Sequence, residues 1–153
     1  MILNTTQIDS GQPIKPTMEQ LDAASEFIEL RELRKSEFST DGLKRYMELI
    51  HIIHPTKVYK QAILETGNFT SDIFKENHNL FGMKMPHTRI STAIGENRGH
   101  AKYRHWTDSV DDYLEWQDFY MDNGWDMADY YSFLKDIPYA EDPRYINKLK
   151  QLP

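Results

Sequence analysis

The sequence predicts a mainly helical α+β domain carrying one small β-hairpin. Three observations lead there. Apolar residues recur at helical spacing through most of the chain, and capping residues stand where those stretches begin. A single segment, Met85 to Arg104, breaks the pattern with a proline, two glycines and the β-favouring run RISTAI. Finally, 153 residues with 39% apolar content suffice for one core and fall short of two ordinary domains.

Residues 1 to 16 hold two prolines and a glycine without periodicity, and read as a tail or strap ahead of a single domain over 17 to 153. Thr17 with Gln20 forms a capping box for a helix running to about Ser36. A second helix is expected over Thr40 to Ile53, with Leu43, Met47 and Ile50 along one stripe. In HPTKVYKQAILETG, Pro55 suits the first turn of a third helix and Gly67 its C-terminal cap. A short helix over Ser71 to Asn77 follows, then the hairpin with GENRG as its turn. Thr107 or Asp108 caps the next helix, which reaches about Asn123. Another segment covers Ala128 to Asp136, and Asp142-Pro143 opens the last, with the carboxylate as N-cap and proline at N1.

Composition excludes several kinds of chemistry. The chain has no cysteine, so disulfide scaffolds, thiolate catalysis and cysteine-based zinc sites are ruled out. No apolar run approaches membrane-spanning length, and the opening residues show no export signal. A net charge of −6 argues against general nucleic-acid binding. That charge is unevenly spread: Lys84 to His105 is basic, with Glu96 its one acid, whereas Asp108 to Asp142 is acidic, with Lys135 its one base. Such a split can give a cleft one basic wall, although a solvated acidic helix face explains the same pattern. Glu48 and His51 make half a metal motif without a partner, so no metal and no cofactor are expected. The aromatics from Tyr103 onward include all three tryptophans, but Val110, Tyr113, Leu114, Gln117 and Met121 fall at helical spacing and predict core.

Glu65 stands out by position. It follows the apolar turn Ala62, Ile63, Leu64 and precedes a helix-ending glycine. There a carboxylate faces the negative end of the helix dipole beside apolar neighbours, and both effects disfavour its anion. A carboxylic acid still protonated near neutral pH can donate to a glycosidic oxygen. An ordinary surface glutamate that happens to end a helix is the commoner source of such a position, so position alone does not settle the role.

The surrounding residues add to this. Glu65, Thr66, Gly67, Ser71, Asn79, Leu80, Phe81, Gly82 and Lys84, in AILETGNFTS and HNLFGMK, resemble the bacterial glucosaminidase family, glycoside hydrolase family 73. Two further blocks resemble it in the same order: Tyr103, Arg104, Trp106, Ser109, Asp112 and Tyr113, then Tyr139, Ala140, Asp142, Pro143 and Tyr145. The resemblance covers about Tyr59 to Leu149. It implies a lysozyme-like fold whose cleft binds peptidoglycan glycan strands, acting as a monomer on the bacterial cell wall, whether secreted, periplasmic or phage-delivered. It also implies hydrolysis of the β-1,4 bond after N-acetylglucosamine, with Glu65 as general acid and Tyr139 beside the reacting sugar. Asn79, Phe81, Lys84 and Ser71 are the substrate-binding residues it implies. A muramidase on the same fold, or a catalytically silent glycan-binding or structural module, is the alternative.

This chain departs from the family pattern at His78, where the family has asparagine, at Asn68, where tryptophan is common, and at Glu141, where it has threonine. In many relatives a hairpin acid assists the attacking water, and Glu96 is the hairpin acid here. If no base stands at the roughly 6.5 to 9.5 Å of an inverting pair, the substrate's own N-acetyl group can act instead.

Overall fold

Residue 11 and residues 13–153 are described by the computed structural model; residues 1–10 and 12, most of the predicted tail, lie outside it. The described chain folds as α1 (Met18–Leu33), α2 (Thr40–Leu49), α3 (Pro55–Glu65), α4 (Asp72–Asn77), β1 (Gly95–Asn97), β2 (His100–Lys102), α5 (Trp106–Asp122), α6 (Tyr130–Asp136) and α7 (Tyr145–Gln151). It is mainly helical with one two-stranded antiparallel sheet, as expected. None of the described helices is long and apolar enough to cross a membrane.

Local capping chemistry sets several boundaries. Thr17 and Gln20 close the predicted capping box at the start of α1. None of the α1 residues is buried; Leu30 and Leu33 lean on the core, and the Arg45 guanidinium grips Glu29 at 2.7 and 2.8 Å to tie α1 to α2. Leu43, Tyr46 and Met47 give α2 its buried face. That helix ends at Leu49 rather than Ile53, because His51 and His54 turn at positive φ to deliver Pro55 into the first turn of α3. At the other end of α3, Gly67 at φ +55 lets the Asn68 N–H reach the Ile63 carbonyl at 2.8 Å and the Gly67 N–H reach that of Leu64, a Schellman cap.

The hairpin is shifted from its expected place. RISTAI is not a strand, since its side chains are claimed by α5: Arg89 pairs with Asp112 at 2.6 Å and Thr92 Oγ1 donates to the Asp108 carbonyl at 2.5 Å. The strands instead lie within the expected turn and beyond it, with Glu96 opposite Ala101. Arg98 and Gly99, both at positive φ, form the two-residue loop that matches strand twist. Caps shift as well. His105, not Thr107 or Asp108, caps α5, its Nδ1 accepting from the Thr107 N–H at 3.2 Å, while Thr107 is buried inside the helix. Asp129 caps α6. Asp142 and Pro143 precede α7 rather than begin it; Asp142 accepts from the Arg144 N–H at 2.9 Å and binds Lys148 at 2.7 Å.

The core joins α2, α3, α5 and α6 through Leu43, Met47, Val58, Ala62, Val110, Tyr113 and Tyr130, with Phe81 and Leu80 inserted from the loop after α4. Val110, Tyr113 and Gln117 are buried, as the helical spacing predicts, and so are Trp106 and Trp116, whereas Leu114 is half-buried and Met121 and Trp125 are exposed. Beneath the hairpin lobe lies a buried polar knot. Asp112, fully buried, accepts from Arg89 and from the Tyr103 hydroxyl at 2.5 Å. Asp112→Asn keeps the shape but leaves the Arg89 charge uncompensated in a site from which water is excluded. We expect it to lower stability by about 2–3 kcal/mol, the scale of charged hydrogen bonds, read as a reduced denaturation midpoint at unchanged m-value.

Candidate active site

A cleft of about 620 Å³ opens between the helical lobe and the hairpin. Its walls are Glu65 from the end of α3, Phe81 to Lys84 from the loop after α4, His100 from β2, and Pro138 to Glu141 from the α6–α7 connection. Glu65 is the last residue of α3, as its sequence position predicts. It is half-buried, and that burial pushes its carboxyl above the usual carboxylate range. The Tyr145 hydroxyl and the His100 charge pull in the opposite direction without cancelling it.

The loop opposite is held rigidly. Asn79 is buried, with its Oδ1 accepting from the Phe81 and Met83 N–H groups at 3.2 Å and its Nδ2 donating to the Met83 and Ala101 carbonyls at 2.9 Å. The Ala101 N–H returns to the Met83 carbonyl at 2.9 Å, so the hairpin edge clamps the same turn. Gly82 within it adopts φ +67 and passes so close to Glu65 that a Cβ there would stand 2.5 Å from Oε2.

Behind Glu65 runs a chain of buried donors. Gln117 bridges both backbone groups of Ile53 and donates to the Tyr130 hydroxyl at 3.0 Å. The Tyr130 and Tyr113 hydroxyls bond to each other, Tyr113 gives its proton to Gln61 Oε1, and Gln61 Nε2 donates to the Tyr145 hydroxyl at 3.1 Å. Tyr145 therefore has its own proton to offer to Glu65. Sequence reasoning did not single out this arrangement, because its members lie on α3, α5, α6 and α7.

The predicted site residues divide. Glu65, Tyr139, Phe81 and Lys84 line the cleft. Ser71 does not; its hydroxyl caps α4, accepting from the Phe74 N–H at 3.1 Å. Asn79 lies beneath the cleft with its amide fully engaged, so it shapes the wall rather than the contact surface. Glu96 is exposed on β1 and is not among the residues lining this cleft. Gly82 and Ala140 belong to the resembling blocks without an expected site role and Glu141 departs from their pattern, while His100, Met83 and Pro138 carried no sequence signal of their own.

Tyr139 donates its hydroxyl to the Phe81 carbonyl at 2.7 Å, while its ring meets Trp116 edge-on and stacks on Tyr145. Burial pushes its phenol well up, which keeps the proton on that bond. Tyr139→Phe keeps the ring and frees the two cleft walls from each other. We expect about 1 kcal/mol of lost stability and a roughly tenfold lower kcat. A loss beyond a thousandfold would instead place the hydroxyl on the reacting sugar.

A two-lobed, mainly helical domain with a protonatable carboxylate in the intervening cleft is equipped for glycoside hydrolysis. Residues 41–152 match the glucosaminidase family, described as mannosyl-glycoprotein endo-β-N-acetylglucosaminidase, and the chain belongs to that family of glycoside hydrolases. It is also 34% identical over 68 residues to Protein bax of Escherichia coli (strain K12), an alignment covering 44% of this chain and 25% of that protein. The chain thus spans about a quarter of that relative's length. No solved structure matches it.

Proposed function

We propose that this domain, residues 17 to 153, hydrolyses the β-1,4 bond after N-acetylglucosamine in peptidoglycan glycan strands, with Glu65 donating the proton to the departing oxygen. The observation that carries this reading is the placement of Glu65: a half-buried carboxyl whose charged form is disfavoured, at the wall of the cleft. Lys84 on the cleft wall adds positive charge there in an otherwise acidic protein.

The test is product chemistry. Purified peptidoglycan is digested, new reducing ends are converted to alditols with borohydride, and the fragments are read by mass spectrometry. Reduced N-acetylglucosamine is the expected new end. Reduced N-acetylmuramic acid would make the protein a muramidase, and glycan binding without new ends would make it a silent module.

A further inference from the structure

Unless the substrate's own N-acetyl group takes that part, the reaction proposed above calls for a second group that handles water, and Glu96 lies off the cleft lining. We propose that Glu141 is that group: the carboxylate that positions and deprotonates the attacking water in the cleft it shares with Glu65. This inference rests on the hydrolase reading and adds a residue to it.

Four observations place Glu141 there. It lines the same cleft as Glu65, and no other carboxylate among the described residues does. It is exposed, where water stabilises its charge, whereas Glu65 is partly withdrawn from water; such a contrast is how two carboxyls take opposite roles. Its side chain enters no hydrogen bond or ion pair among the described residues, so nothing diverts it from a bound water. Its neighbours are fixed. On one side, the Tyr139 hydroxyl is bonded to the Phe81 carbonyl and its N–H to that of Leu134 at 3.0 Å. On the other, Asp142 is held by Arg144 and Lys148 and turned to that work. Glu141 is therefore a free carboxylate on a braced loop.

The step balances. Glu65 gives its proton to the glycosidic oxygen as the bond from that oxygen to the anomeric carbon breaks. The water oxygen bonds to that carbon and surrenders a proton to Glu141. The products are two sugar ends, with an ionised Glu65 and a protonated Glu141 that exchange with solvent.

The experiment counts new reducing ends from purified peptidoglycan, and from soluble glycan fragments where kcat and KM can be separated. A wild-type chain that makes no new ends overturns the hydrolase reading and this inference with it. With an active wild type, Glu141→Gln is expected to lower kcat by about 10²- to 10⁴-fold, with KM and melting temperature little changed. Glu96→Gln is expected to stay within a few-fold of wild type. In Glu141→Ala, sodium azide should restore cleavage and yield a glycosyl azide, because the small anion fits the vacated space and needs no base. A purely structural residue would not show such rescue. Wild-type turnover in Glu141→Gln, a loss confined to KM, or a loss that azide does not rescue would each overturn the assignment.

Discussion

Glu65→Gln is expected to abolish hydrolysis while leaving the protein folded. The amide fills the same space at the end of α3 and cannot donate a proton to the departing oxygen. Loss of general acid catalysis is worth about 10²- to 10⁴-fold, and with a poor leaving group it falls at the upper end of that range. Stability should move the other way. Burial raises the Glu65 carboxyl in the folded chain above its value in the unfolded one, so the folded state holds that proton more tightly. The wild type therefore loses stability as pH rises through this interval, and the glutamine variant does not. The variant should melt at or above the wild-type temperature near neutral pH, with the difference vanishing below the ordinary carboxylate range. Wild-type activity should fall on the alkaline side as the same proton is lost. A variant retaining turnover within tenfold of wild type would remove Glu65 as the proton donor.

What could be read from the sequence divides by the range of the interactions involved. The start of α1 and both ends of α3 were legible because Thr17 with Gln20, and Pro55 with Gly67, act within a few residues of themselves. Glu65 was legible for the same reason, since its helix end and its apolar neighbours are local. The strands were misplaced because Arg89 and Thr92 answer to Asp112 and Asp108 on α5, ties spanning 23 and 16 residues that no local β preference registers. Asn79 and Ser71 show a related difficulty. An asparagine that braces a loop and a serine that caps a helix carry the same polar groups as residues that grip a sugar, and only the partners observed separate the roles. The relay from Gln117 to Tyr145 depends on four helices meeting, so its members read in sequence as ordinary core positions.

Gly82 ties the cleft wall to the Glu65 carboxyl. Alanine there meets two separate penalties. The left-handed backbone at φ +67 costs a residue with a Cβ about 1–2 kcal/mol, and that Cβ would lie 2.5 Å from Glu65 Oε2 and 3.2 Å from its carboxyl carbon. The backbone cannot retreat, because Asn79 and the Ala101 N–H hold both sides of the turn. The flexible side chain must yield instead, and Glu65 swings away from the position at which the proposed mechanism has it donate to the departing oxygen. A displacement of about 1 Å from reactive geometry is enough to lower rates by around 10²-fold. Gly99 provides the control, since it has φ +74 with nothing within 4 Å of its would-be Cβ. Both variants should lose the backbone share of stability, Gly82→Ala somewhat more for its added contact, while only Gly82→Ala loses about two orders of magnitude in kcat. Equal activity in the two variants would show that the close approach of Gly82 to Glu65 does not govern the acid's placement.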